Sequence, residues 1–136
     1  MKIWNQYGSE HSANIVMIGN FKDAAEASQA QEAIEALTEQ VENERKDGMR
    51  VPGNSSERYG REMLDLLSRL GISSIGPQEL EQFLYEFDLN VEGNSMVLTT
   101  EETEISAFLK VMIDRGARVE VYSAHDYPDT KHGRGR

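Results

Sequence analysis

The side chains able to move protons or hold a metal gather towards the two ends of the chain. Three histidines occur in 136 residues: His11 directly after Glu10, His125 directly before Asp126, and His132 a few residues beyond Asp129. Imidazole titrates near neutrality, ligates metals, and becomes a better base when a carboxylate orients it. His11, His125, Glu10 and Asp126 are therefore the candidates for an acid–base or metal site, although no spacing here is as tight as His-x-x-x-His on a helix face. Ser9, Tyr122, Asp129 and His132 join them as candidates for holding a ligand without chemistry. Segments rich in serine, histidine and aspartate also occur as plain exposed turns, and that reading needs no site.

Other chemistries find less support. The chain has no cysteine, which removes disulfides, thiolate metal ligands and thiol nucleophiles. Gly8 and Gly19 stand alone, so there is no glycine-rich phosphate cradle, and Ser9 and Ser12 lack the strand–turn–helix setting that exposes a nucleophile. No pattern designates a cofactor. Trp4, Tyr7, Tyr122 and Tyr127 could stack on bases or sugars, but aromatics near strand ends more often close a core.

Charge narrows the partners. Twenty-four acids against 14 bases give a net charge of −10, which opposes direct binding to nucleic acid and to anionic membranes. Half of that surplus lies between Lys22 and Asp47, where eight acids meet three bases. Glu32, Glu35, Glu39 and Glu42 are the candidates for a partner-binding face there. A basic protein could dock on it, even one that takes it as a decoy of nucleic acid; a merely solvated helix face is the simpler alternative. The basic segment Lys131–Arg136 could clamp an anion or fold over the acidic face of a neighbouring copy. The opening residues Met1–Gln6 lack the apolar run of a signal peptide, and no stretch has the roughly 18 apolar residues of a membrane span. The expectation is a soluble, cytoplasmic protein.

Periodicity supplies the elements that must position these groups. Asn14–Phe21 is nearly continuously apolar, as a central strand would be. Asp23 with Glu26 has the form of a helix N-cap pair, and Ala27, Ala30, Ile34, Leu37 and Val41 follow one face of a helix running to Asp47. Pro52, Gly53 and Asn54 lie in an exposed connection. Tyr59, Met63, Leu66, Leu67 and Leu70 mark a second helix. A third, opening at Pro77, sets Leu80, Phe83, Leu84 and Phe87 on one face. Residues 88–92 and 95–100 alternate around Gly93-Asn94, a two-residue hairpin turn. Thr99-Thr100-Glu101-Glu102 reads as a capping box for a helix over 101–115, with Ile105, Phe108, Leu109, Met112 and Ile113 inward, and 118–123 alternates again.

Residues 14–123 thus follow the order β-α-β-β-α-β, which predicts an α+β, ferredoxin-like fold of two split βαβ units with its helices on one face of an antiparallel sheet. An extra N-terminal strand through Ile3, Trp4 and Tyr7 could form a hairpin with the first core strand. The helical hairpin over 57–87 is an insertion, within one domain spanning 1–123 followed by a tail over 124–136. In this plan the last strand lies antiparallel beside the first, which brings His11 and His125 to one end of the sheet.

The blocks Tyr7-Gly8-Ser9-Glu10-His11-Ser12 through Met17-Ile18-Gly19, and Glu120-Val121-Tyr122-Ser123-Ala124-His125-Asp126, resemble a family of small bacterial proteins of unknown function. The resemblance spans nearly the whole chain, implies a bacterial or phage setting, and carries no activity. With no catalytic motif, the expected function is binding of a protein partner or small ligand without catalysis, with self-association through the sheet as one form. A small metal or acid–base enzyme and an acidic decoy are the alternatives.

Overall fold

A computed structural model of the chain describes residues 14–48 and 58–123. In chain order it contains β1 (Ile15–Asn20), α1 (Ala24–Lys46), α2 (Arg61–Leu70), a 3₁₀ helix (Pro77–Leu84), β2 (Phe87–Glu92), β3 (Ser95–Thr100), α3 (Ser106–Asp114) and β4 (Arg118–Ser123). The strands form one sheet in the order β2-β3-β1-β4, every neighbouring pair antiparallel. This is an α+β architecture.

The central position of β1 explains its lack of alternation: both its edges are paired and neither face is fully open to water. Met17 from β1 and Met96 and Leu98 from β3 enter the main core with Ala27, Ala30, Ile34 and Leu37 of α1. Ala27, Ala30 and Ala33 are fully buried, and their small side chains let α1 lie close to its neighbours. Gly19 serves α3 in the same way, since a Cβ there would stand only 3.3 Å from the Met112 sulfur. Phe108 meets Phe83 and Phe87 edge-on, with ring centres 5.1 and 5.0 Å apart.

Local signals set the boundaries. Asp23 caps α1 through Oδ1, which accepts the Glu26 N–H at 2.9 Å. Gly93, at φ +59°, supplies the positive φ of a two-residue hairpin turn, and Asn94 has none, which is the type II′ pattern. That turn also braces β1: Phe21 N–H donates to Asn94 O at 2.8 Å, and Asn94 Nδ2 donates back to Phe21 O at 2.9 Å.

Three sequence expectations are corrected. Thr100 is the last residue of β3 and starts no helix; its hydroxyl donates to Glu86 O at 3.0 Å and accepts the Glu102 N–H at 3.3 Å. α3 begins at Ser106, and its Ala107 N–H is capped from afar by Gln82 Oε1 at 2.7 Å. The inward face of α3 shifts accordingly to Ala107, Phe108, Val111 and Met112, leaving Ile113 58% exposed. The third predicted helix is 3₁₀, with three residues per turn, so Glu79 and Gln82 share one column facing α3 while Leu80 and Phe83 share a buried one. Phe87 belongs to β2.

The predicted N-terminal strand lies outside the described residues. A hairpin of such a strand with β1 is excluded, because β3 and β4 occupy both edges of β1 from Ile15 to Asn20. Among the described residues no helix is long and apolar enough to cross a membrane.

Candidate functional site

Strand register fixes which side chains can meet. Ile15 pairs with Thr100 on one side and Ser123 on the other, and Thr100 pairs in turn with Phe87. The starts of β1 and β2 and the ends of β3 and β4 therefore share one end of the sheet. The adjacency of β1 and β4 on which the histidine grouping depends is present. His11, Glu10, Ser9, His125, Asp126, Asp129 and His132 themselves lie outside the described residues. Tyr122 is described: it alternates with the core-packed Val119 on the face of β4 turned from the helices, pairs with Val16, and donates its hydroxyl to Glu120 Oε1 at 2.9 Å. Among the described residues no three histidine, aspartate or glutamate side chains are grouped to hold a metal ion.

A cleft of about 930 Å³ opens at this end of the sheet. Its apolar part comes from Ile15, Val16, Leu84 and Phe87, and its acidic part from Glu86, Asp88, Glu101 and Glu102. No lysine or arginine is among the described residues that line it. Thr100 shapes the rim: its two hydrogen bonds tie the chain at Glu86 to the turn that presents Glu101 and Glu102. Charge repulsion among the four carboxylates is spread around an open mouth, where water screens it.

A second depression of about 410 Å³ lies behind the first and shares Leu84, Tyr85 and Phe87 with it. Its opposite wall is the flank of α1 carrying Glu35, Thr38, Glu39 and Glu42. Glu35 and Glu39 are exposed; Glu42 is paired with Arg45, and that hydrogen bond holds its carboxyl below the usual range and raises the guanidinium. Glu32 is also exposed on α1 but does not line the depression. The predicted acidic face thus divides, with Glu35, Glu39 and Glu42 beside an apolar wall and Glu32 apart from it.

Between the two depressions stands Tyr85. Burial, and then the nearby Glu104 carboxylate, push its phenol up to about 12, so it stays protonated and donates to Glu104 Oε1 at 3.3 Å. Glu102 and Glu81 act in the same direction. The site is a ridge, Leu84–Phe87, with apolar and acidic ground on both sides.

Beneath it, a polar chain anchors the 3₁₀ helix to α3. Lys110 Nζ donates to Glu79 Oε1 at 2.8 Å and to Ser74 O at 2.9 Å. Ser106 donates to Glu79 Oε2 at 2.6 Å and accepts from Gln82 Nε2 at 3.1 Å. Burial raises the Glu79 carboxyl, but hydrogen bonds from Lys110, Ser106 and the Gly76 N–H outweigh it and hold the group below the ordinary range. Every member is satisfied by another, as a structural brace requires.

Sequence reasoning missed Tyr85, Glu86, Asp88, Glu101 and Glu102 as site residues. Glu101 and Glu102 had been spent on a helix cap that does not form. The available signal was the acidic alternation of Glu86, directly before β2, with Asp88 and Glu92 on the outward positions of β2.

No curated protein and no solved structure matches the chain. Residues 1–134 match a family described as Family of unknown function (DUF6375), and the chain belongs to that family.

Proposed function

We propose that this protein is a non-catalytic binding domain whose partner is a cationic protein segment with apolar anchors. The observation that carries the reading is the Leu84–Phe87 ridge, flanked by a cleft with carboxylates Glu86, Asp88, Glu101 and Glu102 and by a depression walled by Glu35, Glu39 and Glu42 of α1. Apolar ground supplies affinity by burial, and carboxylates of one sign supply on-rate and selectivity for lysine and arginine. The scaffold is taken as a single ferredoxin-like domain, a reading supported by the strand order and by α1 and α3 connecting non-adjacent strands.

A fluorescent peptide of alternating lysine and leucine is the probe. Binding measured by anisotropy should weaken steeply with added salt and fall at least tenfold in Glu101→Lys/Glu102→Lys, while Glu32→Lys/Glu62→Lys, an equal change of charge off the ridge, alters it little. Equal loss in both variants would reduce the effect to net charge and refute a localised site.

A second reading has one observation in its favour. Ile15 sits opposite Ser123, so the start of β1, which follows Glu10-His11 in the chain, and the end of β4, which precedes His125-Asp126, adjoin at one end of the sheet. A metal or acid–base site there predicts zinc binding by calorimetry that His11→Ala and His125→Ala each abolish; unaltered binding in both variants would dismiss it.

A further inference from the structure

β2 closes one side of the sheet, and the turn that follows it fixes which of its backbone groups are spent. In a two-residue hairpin the residues flanking the turn exchange both backbone hydrogen bonds, so Glu92 and Ser95 form a hydrogen-bonded pair. Such pairs alternate along antiparallel strands, which puts Asn90 with Val97 and Asp88 with Thr99 in the same class. Asp88, Asn90 and Glu92 therefore use their N–H and C=O groups on β3. Those of Phe87, Leu89 and Val91 point away from the sheet, and among the described residues none of them meets a hydrogen-bond partner.

The side chains along this edge have a matching pattern. Phe87, Leu89 and Val91 turn to the helix face, where they pack on the core yet stay half-buried. Asp88, Asn90 and Glu92 are exposed on the other face, and no cation stands among the outward positions of β2 or β3. A neighbouring strand sets its residues on the same face as those they stand opposite. Apolar residues at alternate positions would continue the row that Phe87 shares with the depression beside Glu35 and Glu39, and lysine or arginine between them would meet Asp88 and Glu92.

We infer that the cationic segment binds as a fifth strand, antiparallel along the outer edge of β2, an inference that rests on the reading of the Leu84–Phe87 ridge as a site for such a segment. Its C-terminal half then lies by the start of β2, beside the cleft lined by Glu86, Glu101 and Glu102. A second copy of the chain fits this edge worse. In a two-fold pairing of β2 with itself centred on Asn90, Asp88 of each copy stands opposite Glu92 of the other, and like charges so placed repel. The opposite edge of the sheet, β4, alternates Arg118 with Glu120 and presents no single sign of charge to select a partner.

Backbone methylation of the lysine–leucine peptide tests the mode of binding. In an antiparallel fifth strand the residues bonded to Phe87, Leu89 and Val91 stand directly opposite them, so the leucine N–H groups face β2 and the lysine N–H groups face water. Two peptides of the same sequence and charge, one N-methylated at its leucines and one at its lysines, should differ in anisotropy titrations: the first should lose about tenfold or more in affinity, the second little. In the complex with the unmethylated peptide, the Phe87, Leu89 and Val91 amides should exchange their hydrogens about tenfold more slowly than in the unbound protein, and those of Asp88, Asn90 and Glu92 at nearly the same rate. Equal affinity or equal loss for the two methylated peptides, or the reverse order, would overturn the antiparallel strand while the unmethylated peptide still reports an acidic site. No binding of the unmethylated peptide at low salt would overturn both.

Discussion

Replacing Gln82 tests whether α3 is started by a residue 25 positions upstream, as the 2.7 Å bond from Ala107 N–H to Gln82 Oε1 indicates. An N–H can only donate, so this bond also fixes which end of the amide is oxygen, and Nε2 is left to donate to Ser106. Gln82 is 7% exposed and Ala107 fully buried, so water cannot replace the lost acceptor. Gln82→Met keeps most of the packing and strands the Ala107 N–H, which should cost about 1–3 kcal/mol. Gln82→Ala adds the loss of buried methylene contact, about 0.8 kcal/mol per group, for a total of about 2–4 kcal/mol. In urea, with a mid-range slope of about 2 kcal/mol per molar, the midpoint of Gln82→Ala should fall by about 1–2 M at unchanged slope. Hydrogen exchange should locate the damage, with the Ala107 amide losing protection. If Gln82→Met unfolds within about 0.5 kcal/mol of the unaltered protein and Ala107 remains protected, the long-range cap is not what starts the helix.

Further outcomes follow from the same geometry. Glu79, held below the ordinary carboxyl range, contributes stability that is full above its unfolded pKa of about 4.3 and is lost as pH falls through the lower folded value. Glu79→Gln should therefore be less stable by about 1 kcal/mol at neutral pH, a modest figure because Lys110 is 38% exposed, and the gap should close on acidification. A gap independent of pH would exclude the ionised carboxylate as its source. Gly19→Val places side-chain atoms where Met112, Phe21 and Ala117 already sit, and should lower stability by about 1–3 kcal/mol in urea denaturation. In an absorbance titration one tyrosine should resist ionisation to about pH 12, and Tyr85→Phe should remove that last step and no other.

Much of the fold was legible because it is written locally. The alternation of 118–123, the Gly93-Asn94 turn and the Asp23 cap each depend on residues within a few positions of one another, and all three elements lie where those signals put them. What escaped depends on distant partners. Thr100 has the chemistry of an N-cap, but Glu86, 14 residues earlier, claims its hydroxyl across the sheet. Without that bond in view, α3 is started too early and its inward stripe rotates onto Ile113. The 3₁₀ helix is similarly obscure, because the columns of Glu79 and Gln82 make sense only once α3 stands opposite. The binding ridge was invisible for a related reason. Its carboxylates come from the ends of β2 and β3, and only strand register brings them beside Ile15. The acidic flank of α1 was legible as charge, but its separation into ridge-facing and remote glutamates required the wall formed by Phe83 and Phe87.

The most direct measurement is a titration of isotope-labelled protein with the lysine–leucine peptide, followed by amide chemical shifts. The account predicts changes concentrated at Leu84–Asp88 and Thr99–Glu102, extending to Glu35 and Glu39. Shifts confined to Arg118–Ser123 and to Asn90 and Glu92 of β2, or none at low salt, would contradict it.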